Sequence, residues 1–333
     1  MKENHKVVIQ RLGESFRDCT EIVSDPVRNP APGEVLIRHH FVGVNGVYDQ
    51  MMCLNRVEHT RVSPPADTGV EAIGVVEAVG DGVSGFAVGD PVATVKAGHG
   101  YRQRQLLSVD ELVPVPEASP RMLALIPSGV SALLALEQVG EVSSKEVVCI
   151  TAAAGGLGNI AVQLAVASGN HVIAVCGDDR KAEWLQSIGV ARVVQYRREN
   201  LAEVLQTEYR DAINLGMDSV GGDSFDALLE NLAPHGRLVV CGYTGDRIPT
   251  AKVLDERIYT RLYWKAASVR GFMNYRFAEH APEARERLIA MTLRGEIKPL
   301  VDDSEFRGLE SIPDAVELLL AGKNLGKVLA DLR

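Results

Sequence analysis

From Val147 to Asn170 the chain carries no charged side chain, and Gly155, Gly156 and Gly158 fall in the middle of that stretch. A run of this length and polarity meets the simple rule for a membrane helix. The central glycines break such a helix, whereas a strand, a tight turn and a helix account for the same residues. VVCIT (147–151) is β-branched, Asn159–Ser168 has helical character, and Ala153-x-Gly155-x-x-Gly158 lies between them. The pyrophosphate of a dinucleotide needs bare backbone N–H groups and the positive end of a helix dipole. Gly155 lets the backbone approach the phosphates, Gly158 lets the helix pack closely on the strand, and Ala153 still permits the tight turn. Gly156 and Leu157 complete the binding turn. A glycine pattern alone is weak, so the elements around it decide.

Those elements alternate from about Arg121 to Arg270. HVIAVC (171–176), ARVVQY (191–196), INLGMDSV and GRLVVCGY (236–243) read as strands. Helical stretches at Arg180–Ile188, 201–209 and 224–232 separate them. Strands alternating with helices of about ten residues imply βαβ units and a parallel sheet covered on both faces. Before this region, as far as Pro120, short strands and Gly/Asp turns predict a compact barrel-like domain. After Gly271, the helices PEARERLIAMTLRG and IPDAVELLLAG and the strand KVLADL are expected to rejoin the first domain. The reading is an α/β chain with a β-barrel domain over 1–120 plus 271–333 and a doubly wound nucleotide domain over 121–270.

Composition narrows the partners. A net charge of −9 excludes a nucleic-acid backbone or an anionic membrane as the main partner, and Arg197-Arg198 is too short a cluster to change that. The start, MKENHKVVIQ, lacks the apolar stretch of a signal peptide. Cys19, Cys53, Cys149, Cys176 and Cys241 show no regular spacing and no even count. Three of them sit inside apolar runs as space-filling thiols, which fits a reducing cytoplasm.

The second strand selects the cofactor. NAD-binding sites end it with an acid that takes the ribose 2′-hydroxyl. Here it ends in Cys176-Gly177, and Arg180 and Lys181 follow, which suits a 2′-phosphate. Asp178 and Asp179 are the competing partners for a hydroxyl. The balance favours NADPH.

TAAAGGLGNIAVQLA, DSVGGDSF, ASVRGF and GLESIPDAVELLLAGKNLGKVLADL resemble the zinc-independent medium-chain dehydrogenase/reductases of the quinone oxidoreductase branch, and the likeness runs through nearly the whole chain. It implies a GroES-like β-barrel catalytic domain with an inserted Rossmann domain. It marks Lys181 and Tyr196 as partners of the 2′-phosphate. It places Ser219, Cys241, Gly242 and Tyr243 beside the cofactor, and Phe272 and Met273 near the nicotinamide. Asn45 in GVNGVYD and Asn324 in GKNLGK would border the nicotinamide from the catalytic domain, and Ser131 would touch the cofactor. Each has a plainer reading as well: Phe272 and Met273 as core, Ser219 as a turn cap, Asn324 as an αL turn residue.

Zinc-dependent members of the superfamily carry a cysteine near Asn45–Tyr48 and a GHE triplet further on. This chain has GVNGVYD and Gly69-Val70-Glu71, isolated His99 and Cys53, and no cysteine quartet, so no metal is expected. Without a Lewis acid, a conjugated acceptor is the easier substrate. Hydride attacks the β-carbon, hydrogen-bond donors stabilise the enolate, and the α-carbon takes a proton from a tyrosine or water. Relatives carry a tyrosine a few residues beyond the position of Gly242, where this chain has Arg247. Tyr243 and Tyr48 are the available tyrosines, with Asn45 as a further catalytic candidate. The resemblance implies NADPH-dependent reduction of α,β-unsaturated ketones, including oxidised-lipid or prostaglandin-like enones. The alternatives are an NADPH:quinone oxidoreductase and a non-catalytic nucleotide-binding protein. A homodimer is expected, as in relatives.

Overall fold

The computed structural model describes residues 3–57, 60–245 and 258–333. The chain divides into two compact units, one formed by residues up to Pro127 together with Leu300–Arg333, the other by Ser128–Pro299.

The first unit is built around the strand Glu34–Gly43. One edge pairs antiparallel with Glu71–Val79, with register irregularities between Leu36 and Ile37 and between His39 and Phe41. The other edge is shared: residues 34–38 pair with Arg104–Ser108, and residues 41–43 pair with Leu329–Asp331. Bulges of this kind bend a strand and increase its twist, so the seven-stranded sheet curves around Val35, Ile37, Val76, Val92, Leu107 and Leu112. Gly43 stands opposite Glu71. A Cβ there would fall 1.9 Å from the Glu71 carboxylate oxygen, so only glycine lets that carboxylate lie against the strand.

The second unit holds a six-stranded sheet in the order Arg192–Gln195, His171–Cys176, Val147–Ile150, Ile213–Asp218, Leu232–Val240, Ser268–Gly271. All neighbours are parallel. Numbered from Val147, the order is 3-2-1-4-5-6, the doubly wound Rossmann arrangement, whose strand order reverses between Val147–Ile150 and Ile213–Asp218. Buried Ile173, Val175, Leu205, Ile213, Leu228 and Leu238 fill part of its core, as expected for strands covered on both faces. The strand expected over 236–243 stops at Val240, leaving Cys241–Tyr243 in the loop beyond.

The unit boundaries differ from the expected ones. Residues 271–299, including the helix Ala281–Leu293, belong with the nucleotide unit rather than with the first. Gln163 explains part of this. Its amide donates to the Lys298 carbonyl at 3.1 Å and accepts from the Lys298 N–H at 2.7 Å, which ties the segment to the helix Gly158–Ala167. The first crossing lies after Pro127 rather than after Pro120.

Among the described residues one helix, Pro120–Val139, is long and apolar enough to cross a membrane, yet 78% of its most apolar window is buried. Val147–Asn170 is a strand, turn and helix. All five cysteines are free.

Candidate functional site

The glycine turn lies at the carboxyl end of Val147–Ile150, beside the point where the strand order reverses. Ala152 takes a positive φ of 48°, and Gly155 N–H closes the turn on the Ala152 carbonyl at 2.9 Å. Ala153 N–H reaches across to the Val175 carbonyl at 3.0 Å, pinning the turn to the neighbouring strand. Asn159, fully buried, donates through its side chain to the carbonyls of Gly155 and Gly156, both at 2.8 Å. A trans peptide holds its N–H opposite its C=O, so the amides of Gly156 and Leu157 point away from Asn159. A Cβ on Gly158 would lie 2.2 Å from the Ala152 carbonyl, whereas one on Gly155 meets that same oxygen at 3.2 Å and nothing else. Gly158 therefore serves the packing of helix on turn, and Gly155 keeps an open approach. The arrangement can receive an anion at a helix N-terminus.

At the end of the second strand, Asp178 caps the helix Asp179–Ser187 by accepting Lys181 N–H at 3.0 Å. Its other oxygen stands 3.5 Å from Lys181 Nζ. Asp179 pairs with Arg198 at 2.5 Å. Both acids that competed for a ribose hydroxyl are thus engaged. A Cβ on Gly177 would come 2.9 Å from the Tyr196 hydroxyl, so that phenol lies over the strand end. The Arg197 guanidinium stands 5.9 Å from the Tyr196 ring centroid. Arg180 is exposed on the same first turn. Cations and a hydroxyl gathered here fit a phosphate.

Asp218, fully buried at the end of Ile213–Asp218, organises the next loop. It accepts the Thr151 hydroxyl at 2.6 Å and the amides of Val220 and Gly221 at 3.0 and 2.9 Å. The Thr151 oxygen in turn accepts Ser219 N–H at 2.9 Å. Ser219 and the Cys241–Tyr243 loop are brought together: Cys241 N–H donates to the Asp218 carbonyl at 2.7 Å, and Thr244 N–H to the Ser219 carbonyl at 3.1 Å. Burial pushes the Cys241 thiol up to about 12, so it is no thiolate nucleophile at neutral pH. Tyr243 is half exposed and so is Met273. Phe272 is buried and stacks on Phe277 with centroids 5.6 Å apart, which is the core reading. Ser131 is buried on the helix Pro120–Leu134. Arg247 lies outside the described residues.

In the first unit Asn45 is the N-cap of the helix Gly46–Cys53 and half-buried. Its N–H donates to Asp49 Oδ2 at 3.2 Å, and its side-chain oxygen accepts Lys327 Nζ at 2.9 Å. Lys327 also donates to the Val44 carbonyl at 3.2 Å and forms an ion pair with Glu71. Tyr48 follows on the same helix, half-buried. Burial and the Asp49 charge push its phenol upward, while a hydrogen bond with Thr60 opposes them. Asn324 donates to the Gly326 carbonyl two residues on, at 2.8 Å; it holds the turn through its side chain and is not itself in the left-handed region expected of it.

Zinc does not fit this donor set. Residues 45–48 hold no cysteine and residues 69–71 no histidine, and Glu71 is engaged by Lys327. Among the described residues no three His, Cys, Asp or Glu side chains converge. Cys53 is fully buried, and His99 is half-buried rather than at the surface. The sequence reading missed Asn159, which acts on the adjacent turn, and Thr151, Asp218 and Lys327, which act through partners distant in the chain.

The chain matches the alcohol dehydrogenase GroES-like domain over residues 31–117 and the zinc-binding dehydrogenase domain over residues 156–290. It belongs to the medium-chain dehydrogenase/reductases, a family of oxidoreductases. It is 37% identical to prostaglandin reductase-3 of Mus musculus, an alignment covering 98% of this chain and 89% of that protein. It is 33% identical to a probable quinone oxidoreductase of Leishmania amazonensis, covering 98% of each. In fold it is similar to Escherichia coli quinone oxidoreductase complexed with NADPH, with a TM-score of 0.83, 24% identity, and coverage of 98% and 100% of the two chains.

Proposed function

We propose that this protein is an NADPH-dependent reductase of the activated C=C bond of α,β-unsaturated ketones. The phosphates rest on the Gly155–Gly158 turn. Lys181, with Arg180 and the Tyr196 hydroxyl, takes the 2′-phosphate. Ser131, Ala153, Gly177, Ser219, Cys241, Gly242 and Met273 line the rest of the cofactor site. NADPH, when bound, supplies the hydride that adds to the β-carbon of the substrate. As that bond forms, the alkene electron pair becomes the bond between the α-carbon and the carbonyl carbon, the carbonyl pair moves onto its oxygen, and Asn45 stabilises that charge as a hydrogen-bond donor. The α-carbon then takes a proton from Tyr48, Tyr243 or water.

The observation that carries this reading is Asn45 itself: an amide anchored by a cation, in the stretch Asn45–Tyr48 near which zinc-dependent relatives carry a cysteine. A donor of this kind suits charge developing on an enolate oxygen. A quinone is also a flat conjugated acceptor, and the likeness to quinone oxidoreductases favours that as the second reading. The protein is expected to act as a cytoplasmic homodimer on small molecules, without nucleic acid or membrane.

The test is oxidation of NADPH and NADH by the purified protein with an open-chain enone and with a naphthoquinone. Enone turnover with NADPH preferred supports the proposal. Quinone turnover alone moves it to the second reading. NADPH binding without turnover of either leaves a nucleotide-binding protein without this activity.

A further inference from the structure

We propose that Lys327 is a positioning residue that locks the Asn45 side-chain amide in one orientation, with Nδ2 as the branch that faces the reacting acceptor. The inference rests on the reading that Asn45 borders the reaction. Lys327 is 3% exposed, and an ammonium has three hydrogens and no acceptor. Two hydrogens go to Asn45 Oδ1 at 2.9 Å and the Val44 carbonyl at 3.2 Å, and the Glu71 carboxylate stands beside the ammonium as its ion-pair partner. The atom of Asn45 that faces Nζ must therefore be its oxygen. A flipped amide would set N–H groups against a cation and leave one ammonium hydrogen unpaired in a buried site.

The lock is stiff from both sides. Lys327 N–H donates to the Leu300 carbonyl and its own carbonyl accepts Asp302 N–H, both at 2.9 Å. On the other side Asn45 N–H is held by Asp49, whose same oxygen takes the Tyr101 hydroxyl at 2.6 Å. Glu71 is 1% exposed and lies against Gly43, where no side chain competes for its place. A buried ion pair is weak support for stability as such. This one fixes the direction of a donor, and a cation on the amide oxygen also polarises the N–H bonds of the same group.

The test compares wild type, Lys327→Met and the double variant Lys327→Met/Glu71→Leu. The single variant strands a buried carboxylate and loses thermal stability; the double variant replaces the pair by apolar groups and regains it. Positioning predicts that kcat, with whichever acceptor the wild type reduces, falls about tenfold to a hundredfold in both variants. The KM for NADPH stays within about twofold, since uniform binding is untouched. Recovery of kcat together with stability in the double variant overturns the proposal, because Lys327 would then be a packing residue only. A second readout needs no turnover. In protein labelled with 15N-asparagine, the Asn45 side-chain amide should give one pair of resonances with restricted motion by 15N relaxation in wild type, and that pair should shift and gain mobility in both variants. Unchanged resonances overturn the lock. Wild type that reduces no acceptor removes the proposed function, and the resonances still decide the lock.

Discussion

The hydroxyl of Tyr101 donates to Asp49 Oδ2 at 2.6 Å, and both residues are buried. Burial pushes the Asp49 carboxyl from 3.8 up to about 7, and Glu71 adds to the rise. Tyr101, the Asn45 amide and Lys327 oppose it. The folded protein therefore holds this proton to a higher pH than the unfolded chain. Its contribution to stability is full below the unfolded value and is lost as pH rises through about 7, by at most about 4 kcal/mol. Asp49→Asn keeps an acceptor oxygen and cannot titrate. Urea unfolding of both proteins should show the variant gaining on wild type from pH 4 to pH 8, and a constant difference would count against the raised carboxyl.

Gly43→Ala should destabilise by about 1–3 kcal/mol or more, because the Glu71 carboxylate cannot yield without leaving Lys327. Gly271→Ala is the control. A Cβ there meets nothing within 4 Å, so its effect should stay within about 0.5 kcal/mol. Denaturant midpoints for the two variants check both values, and similar midpoints would contradict the close approach at Gly43.

The two glycines of the phosphate turn should fail differently. In Gly158→Ala the methyl meets a backbone carbonyl at 2.2 Å, so the melting temperature drops. In Gly155→Ala the fold persists and NADPH affinity falls by about tenfold or more, as a methyl stands where the backbone meets phosphate. Thermal unfolding with NADPH fluorescence titration separates the cases. Undiminished NADPH affinity in a folded Gly155→Ala would mean that the phosphates lie elsewhere.

Lys181→Ala removes a cation from the end of the second strand. NADPH affinity should fall by about tenfold or more, the scale of a charge-assisted hydrogen bond, while NADH affinity changes little. Equal losses for the two cofactors, measured by the same titration, would remove Lys181 from the 2′-phosphate.

What the sequence made legible was local in character. The strand, turn and helix at 147–167 were readable because bulky apolar residues, glycines and their spacing lie side by side. Five of the six parallel strands were readable because each is a short apolar run next to a helix of opposite patterning, whereas the short edge strand Ser268–Gly271 was not. The unit to which the helix Ala281–Leu293 belongs was not readable because helical periodicity does not say which sheet a helix will join; contacts such as the Gln163–Lys298 clasp, 135 residues apart in the chain, contribute to that. The same holds for the site. Gly155 and Gly158 belong to a recognisable spacing, but Lys327 looks like any basic residue before a strand. Its meaning comes from Asn45, 282 residues away. Asp178 and Asp179 were ambiguous by composition and became clear only through their partners, Lys181 and Arg198.

The edge of Glu34–Gly43 that is divided between Arg104–Ser108 and Leu329–Asp331 sets an order of events during synthesis. When the chain leaves the ribosome from its N-terminal side, half of that edge must wait while all six strands of the parallel sheet emerge. Glu71 waits as well, facing a gap until Lys327 appears. The inserted unit can finish folding before the unit that encloses it in sequence, and the residue that orients Asn45 arrives after all of it.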